Sequence, residues 1–302
     1  SYYVDKFDVL NNTTELKTES IITIFKTDIN TIQLMEKIGI DLQFNKIMDN
    51  TTILLRPDQL ALLTQKAPYL ISMAVSDLTQ LFKENFSFYE KKTISIPSPK
   101  SEPIIGVIDT MFDENVYFSE WVEFKNMLSK EIPLTSKDYI HGTAVTSIIV
   151  DGPAFNSNLD DGCGRFRVRH FGVAAGNQFS SFTILRNINE IITKKNKDIK
   201  VWNLSLGSTL EINKNFISPE AAILDKIQFE NNVIFIIAGT NNSEKETKYR
   251  LIGSPADSIN SLVVNSVALD GQPADYARKG PVLSFFIKPD VSYYGGDKKN
   301  PM

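Results

Sequence analysis

The sequence predicts an α/β protein: a parallel sheet with helices on both faces, preceded by a small α+β domain. Three observations predict it. Apolar, β-branched runs at 104–109 and 233–238 have the composition of strands buried on both faces. Stretches of helical period separate such runs, which calls for right-handed crossovers between parallel strands. Before residue 78 the strand and helix signals follow a different order, β-α-β-β-α-β.

Residues 1–18 are polar and rich in Asn and Thr behind Tyr2, Tyr3 and Val4, and read as an N-terminal arm. Residues 19–78 make the small domain. It opens with a strand at 21–25; Ile32, Leu34, Met35 and Ile38 then share helical spacing, and Gly39 closes that helix. Strands are expected at 42–47 and 51–55, around the Asp49-Asn50 turn pair. Pro57 opens a second helix bearing Leu60, Leu62 and Leu63, and a last strand covers 70–75. This order is the ferredoxin-like arrangement, two helices on one face of a four-stranded antiparallel sheet. Residues 79–103 are a linker that starts with a helical stretch and ends in Ser95-Ile96-Pro97-Ser98-Pro99-Lys100-Ser101-Glu102-Pro103. Its prolines block helix and ladder pairing, which marks a domain boundary and a candidate processing site.

Residues 104–302 alternate strand and helix. After the strand at 104–109 come a mixed strand at 167–173 and a helix at 179–194, with Ile184, Leu185, Ile188, Ile191 and Ile192 on its apolar side. A strand at 200–206 follows, then a helix at 219–229 with Ser218 as its cap and Pro219 in its first position. Strands at 233–238 and 262–267 complete the pattern.

Composition narrows the function. A 302-residue chain with 42% hydrophobic residues can bury one large core and one small one. A net charge of −4 provides no basic field, so nucleic acid is not an expected partner. No apolar run is long enough to span a bilayer, and no signal pattern opens the chain, so no membrane partner is expected. The single cysteine, Cys163, rules out a disulfide within the chain and fits a reducing compartment, so a cytoplasmic location is expected over a secreted one. Ser1 stands where an initiating Met would, so the numbering is expected to start inside a longer sequence.

Two stretches carry the chemistry. Ile104-Ile105-Gly106-Val107-Ile108-Asp109-Thr110 is a buried-strand run that delivers one carboxylate to its C-terminal end. His141-Gly142-Thr143-Ala144-Val145-Thr146-Ser147-Ile148-Ile149 begins with an imidazole and continues at helical spacing, which places His141 at a helix mouth. An Asp at a strand end and a His at a helix start can meet above an open α/β sheet. There the Asp would hold the imidazole's tautomer and let it act as a base.

These stretches resemble the subtilisin-like serine proteases, in which a strand ending Asp-Thr/Ser-Gly precedes a His-Gly-Thr helix and the triad order is Asp, His, Ser. Met111 departs from the family's Gly, so a differently shaped turn is expected. Asn203-Leu204-Ser205-Leu206-Gly207 is similar to the family's Ser-x-Gly substrate strand, and Ala238-Gly239-Thr240-Asn241-Asn242 to its oxyanion loop. The resemblance implies a serine endopeptidase with Asp109 as orienter and His141 as base. Ser205, Leu206 and Gly207 would pair with an extended peptide or protein substrate through backbone groups. Asn241 is the implied oxyanion donor, because a neutral amide N–H can meet a developing alkoxide; Thr240, in strict register with the family's Asn, and Asn242 remain alternatives. The small domain resembles the family's propeptide, which implies an intramolecular inhibitor. No cofactor is required, and no metal ligands are assigned.

The family's nucleophile lies in a Gly-Thr-Ser segment after Pro-Asp-Val. Here Pro289-Asp290-Val291 is followed by Tyr293, Tyr294, Gly295 and Gly296, and no Gly-Thr-Ser occurs in the sequence. The expectation is therefore a chain inactive by itself, completed by a missing C-terminal segment that brings the Ser. The alternative is a non-catalytic interaction or regulatory module on the same fold. His170, one of two histidines, lies in a basic, aromatic segment without a matching motif and reads as structural. Asp160-Asp161-Gly162-Cys163-Gly164-Arg165 is an acidic, Gly-rich loop that could cradle calcium, although Asp-Gly turns of this kind are common. Cys163 has no His partner in the pattern of a nucleophile.

Overall fold

The computed structural model describes residues 18–76, 95–155, 157, 160–176, 180–194, 196–208, 210–242 and 250–296. The expected arm, except Thr18, and the helical stretch expected at the start of the linker lie outside the described residues. The chain divides into two units, Ser1–Asp77 and Leu78–Met302.

In the first unit, β1 (Ser20–Ile24), α1 (Thr31–Ile38), β2 (Thr52–Leu55), α2 (Pro57–Lys66) and β3 (Ile71–Ser76) follow one another. The strands form an antiparallel sheet of order β2-β1-β3. Asn30 caps α1 by accepting the Ile32 N–H at 2.9 Å, and Gly39 ends it at φ 93°, a conformation that glycine alone adopts without strain. Ile22, Ile24, Ile53 and Leu55 from the sheet pack against Met35, Ile38, Leu60 and Leu63 from the helices. Each such side chain contributes about 1.5–3 kcal/mol on burial.

The strand expected at 42–47 does not form. A 3₁₀ turn, Phe44–Lys46, replaces it, and one bridge between Ile47 and Ile53 is what remains of the pairing. The Lys46 and Ile47 N–H groups bond back to Gln43 O and Phe44 O, so these donors are spent locally rather than on a ladder. Phe44 is exposed, Leu42 is buried in the core, and Ile47 packs against it partly buried. The sheet among the described residues has three strands, not four.

The second unit runs β4 (Ile104–Asp109), β5 (Val122–Asn126), α3 (Ile140–Phe155), β6 (Arg167–Gly172), α4 (Ser181–Lys194), β7 (Val201–Leu204), α5 (Pro219–Asn231), β8 (Ile234–Ala238), β9 (Leu262–Val267) and β10 (Val291–Tyr294). All seven strands are parallel, in the order β10-β9-β8-β7-β4-β6-β5. Val107 and Ile108 are successive residues of β4, so they point to opposite faces, and both are fully buried. Helices therefore cover both faces, as the apolar strand composition requires. The two edge strands, β5 and β10, carry no apolar run. Glu123 and Lys125 alternate along β5, charges that blunt an open edge, whereas β10 is Val-Ser-Tyr-Tyr with all four residues exposed.

The strand order decides where a ligand can bind. From β4 the chain first moves to β5 and β6 on one side, then returns to β7, β8, β9 and β10 on the other. The connections thus diverge between β4 and β7, and a crevice opens at the C-terminal ends of those two strands.

Trp202 lies at the centre of β7, opposite Gly106 in the ladder. A side chain on Gly106 would collide with its indole ring, so the glycine makes room for the largest fully buried side chain in the unit. The indole N–H donates to Ile199 O at 3.3 Å, and Phe171 packs against the ring at 5.9 Å.

Candidate active site

β4 ends in Asp109, which is fully buried, and α3 begins one residue before His141. The two side chains meet: His141 Nδ1 lies 2.6 Å from Asp109 Oδ1. A buried carboxylate at that distance keeps the proton on Nδ1, which leaves Nε2 as the basic nitrogen of the neutral ring. The imidazole is about a quarter exposed, at 26%, so the ring faces solvent while the carboxylate does not. Asp109 Oδ1 also accepts the Thr110 N–H at 2.6 Å, whereas Oδ2 is buried with no hydrogen-bond partner.

Helix and strand are stitched together next to this pair. Thr110 Oγ1 accepts the Gly142 N–H at 2.9 Å, and Thr143 Oγ1 accepts the Asp113 N–H at 2.9 Å. A Cβ on Gly142 would sit 2.6 Å from Met111 O and 2.7 Å from Thr110 O, so only glycine lets the helix mouth approach the turn after Asp109. The Met111 side chain is fully buried and fills the space above Gly172, where an added Cβ would lie 2.5 Å from its terminal carbon. The turn thus accepts a bulky residue because β6 carries none at the facing position.

Parallel topology brings the remaining sequence-predicted residues to the same sheet edge. β7 is the neighbour of β4, and its ladders end at Leu204, so Ser205, Leu206 and Gly207 extend beyond them at the crevice. The Ser205 hydroxyl is held by Asn203 Nδ2 at 2.9 Å. β8, the next strand, ends at Ala238 and leads into Thr240, Asn241 and Asn242. Thr240 adopts φ 67°, donates its hydroxyl proton to Gly239 O at 2.7 Å and accepts the Gly253 N–H at 2.8 Å. With its one proton spent, the Thr240 hydroxyl has none for an oxyanion. Asn241 and Asn242 follow it, half-buried, anchored by a bridge from Asn241 to Ala277 and by the Asn242 N–H to Tyr276 O at 2.7 Å. Gly207 packs against Thr240, which ties the Ser205–Gly207 segment to this loop.

Beneath the Ser205–Gly207 segment lies a buried polar cluster that sequence reasoning did not single out. Ser254 O accepts the Ser208 N–H at 2.7 Å, while the Ser254 hydroxyl bridges Ser218 Oγ at 2.9 Å and Glu220 Oε2 at 3.0 Å. Asp257 accepts both the N–H and the hydroxyl of Ser218, at 2.6 and 2.7 Å. In the sequence Glu220 is an ordinary acidic residue in a first helical turn, and nothing local signals its burial. Burial pushes the carboxyls of Glu220 and Asp257 above the usual carboxylate range, and their mutual proximity adds to the effect at Glu220. A carboxyl raised in this way favours the fold below its ordinary pKa and loses that contribution as pH rises through the folded value. Glu220→Gln, which cannot ionise, is therefore expected to gain stability relative to the parent between pH 4 and pH 8, at about 2–4 °C of Tm per kcal/mol. Thermal unfolding of both proteins across that pH range measures it; a difference independent of pH would contradict it.

The Asp160–Arg165 segment builds two side-chain turns: Asp160 accepts the Gly162 N–H at 3.0 Å and Asp161 the Cys163 N–H at 2.9 Å. Arg165 reaches back to the buried Asp151 at 2.6 Å. Cys163 is exposed, and Asp161 pushes its thiol up, away from the thiolate form. Among the described residues no group of three or more His, Cys, Asp or Glu is placed to hold a metal ion, and no helix is long and apolar enough to cross a membrane.

Comparison with known proteins bears on the fold and the family. The chain is similar to two crystal structures of the epidermin leader peptide processing serine protease from Staphylococcus aureus. Their TM-scores are 0.60 and 0.59 at 13% and 12% identity, covering 93% of this chain and 76% and 75% of those chains. The prenylagaramide maturation protease matches 59% of this chain at 21% identity with a TM-score of 0.43, and this chain spans 58% of its length. The nisin leader peptidase from Lactococcus lactis matches 67% of this chain and 64% of its own at 18% identity, with a TM-score of 0.47. The profile of the subtilase family, peptidase S8, matches residues 100–301. The chain belongs to the subtilase family.

Proposed function

We propose that the full-length protein is a serine endopeptidase that hydrolyses peptide bonds by an Asp-His-Ser triad, to which this chain contributes Asp109 and His141. The observation that carries the reading is the 2.6 Å contact between a fully buried carboxylate and a partly exposed imidazole at the crevice of the sheet. His141 Nε2 takes the proton of the serine hydroxyl as it attacks the scissile carbonyl, and Asp109 stabilises the imidazolium that forms. Asn241 donates to the oxyanion. Ser205, Leu206 and Gly207 pair with an extended peptide as an added strand, so recognition is mostly through the main chain. Removal of a leader segment from a peptide precursor, the activity named for the Staphylococcus aureus neighbour, is a reaction of this kind.

The nucleophile is assigned to a Gly-Thr-Ser segment that these 302 residues do not contain, so this chain alone forms no acyl-enzyme. The N-terminal unit is assigned the role of an intramolecular inhibitor, on the strength of its βα order ahead of the Asp109 strand. No cofactor enters the reaction.

A fluorophosphonate probe applied to the full-length protein tests the reading. Serine-dependent labelling that disappears in His141→Ala is the expected result. Absence of labelling, with or without residues 1–78, would overturn it in favour of a non-catalytic module on the same fold.

A further inference from the structure

His170 is a buried titratable side chain at the site for which the mechanism has no use. It sits in the middle of β6, opposite Val107 of β4 and Phe124 of β5, and is fully buried. A valine or leucine would meet the packing needs of such a position without the desolvation cost of an imidazole.

Both of its nitrogens are committed to groups attached to the candidate pair. Nε2 lies 2.8 Å from Thr110 O; a carbonyl only accepts, so Nε2 carries the proton. Nδ1 is then the acceptor for the hydroxyl of Thr146, at 2.8 Å, on the helix that His141 opens. Thr110 in turn accepts the Gly142 N–H and donates its own N–H to Asp109. The peptide between Thr110 and Met111 is held from both ends, its oxygen by His170 and its N–H by Asp138 O at 3.0 Å. The His170 ring also lies directly under the residue after His141, since a Cβ on Gly142 would be 2.9 Å from His170 Cε1.

We propose that His170 is a positioning residue for catalysis: its neutral imidazole locks the turn after Asp109 to α3 and so sets the Asp109–His141 distance. The proposal rests on the reading of that pair as orienter and base. The groups that face His170 are Asp109 from β4, His141 and Thr146 from α3, Phe124 from β5 and Phe112 from the turn after β4. Burial is the dominant influence and holds the ring below the ordinary histidine range; Thr110 O and Asp109 pull it up less, and His141 adds to the lowering. A neutral ring suits the task, because a second cation beside His141 would oppose formation of the imidazolium.

Three variants of the full-length enzyme separate positioning from bulk stability. In His170→Gln the terminal amide can reach the place of Nε2 and keep the donor to Thr110; in His170→Asn the shorter amide can meet only Thr146; His170→Phe keeps ring volume and loses both bonds. The expected result is a kcat within about 3-fold of the parent for Gln, and a fall of about 10²-fold for Asn and Phe with KM unchanged, the size of loss that a displacement near 1 Å produces. Thr146→Val, which removes only the hydroxyl on Nδ1, is expected to lower kcat in the same direction by less, and remains informative if His170→Phe does not fold. The 302-residue chain has two histidines, so two Cε1–H resonances, one from each ring, report the two separately by NMR titration. The His170 signal is expected to stay that of the neutral ring at pH 6, and the His141 titration to move in the Asn variant but not in the Gln variant. Parent-like kcat in the Asn and Phe variants, or equal losses in Gln and Asn that follow their Tm, would overturn the proposal. Were Asp109→Asn and His141→Ala also active, the underlying reading of the pair would fall instead.

Discussion

Asp109→Asn in the full-length protein is expected to lower kcat by about 10⁴-fold while KM stays near the parent value, the loss found when the Asp of an Asp-His-Ser triad is changed in the same way. The side chain keeps its volume in a fully buried site, but the atom that faces His141, Oδ1, is also the one that accepts the Thr110 N–H, so an NH₂ group turned to His141 gives up the Thr110 bond. What changes is the atom facing His141. At 2.6 Å from Nδ1 an amide NH₂ donates where the carboxylate accepted, so the proton of the neutral ring moves to Nε2. A ring protonated at Nε2 cannot take the proton of a serine hydroxyl. Nor does an amide stabilise the imidazolium, which adds to the loss. Steady-state kinetics over pH 6–9 beside a thermal melt measure this; a kcat within 10-fold of the parent would remove Asp109 from the mechanism.

Trp202→Ala is expected to destabilise the second unit by about 3–5 kcal/mol, at the upper end for a single substitution. Trp202 is fully buried, and its ring rests on Gly106 across the β4–β7 pair. Truncation leaves a cavity that the neighbours cannot close, since the facing residue is a glycine with no side chain to move in. Phe171 loses its ring partner at the same time. The consequence reaches the site, because β4 delivers Asp109 and β7 leads to Ser205, Leu206 and Gly207. Urea unfolding followed by circular dichroism should show a lower midpoint at an unchanged m-value. A loss below about 1 kcal/mol would mean that the pocket collapses around the alanine.

The two predictions differ in how far the sequence announced them. Asp109 and His141 stand in local patterns that can be read one segment at a time: a β-branched run ending in a carboxylate, and an imidazole at the start of a helical period. The Gly106–Trp202 contact joins residues from distant segments, and neither carries a local mark of the other. The same holds for His170, which was legible as structural. Its bonds to Thr110 and Thr146 exist only because β6 lies beside β4 and under α3.

Sequence by itself determined the elements whose period is strong, such as the helix that became Ser181–Lys194 and the strand Leu262–Val267, and it determined the two residues that meet at 2.6 Å. The reason is that a period of 2 or 3.6 is a property of neighbours along the chain. Tertiary structure decided the rest. It turned 44–46 into a 3₁₀ turn, recruited Val122–Asn126 and Val291–Tyr294 as sheet edges, spent the Thr240 hydroxyl on Gly239 and Gly253, and buried Glu220 beside Asp257. Each of these depends on which groups come from elsewhere to satisfy or desolvate a side chain, and a local pattern contains no record of those partners.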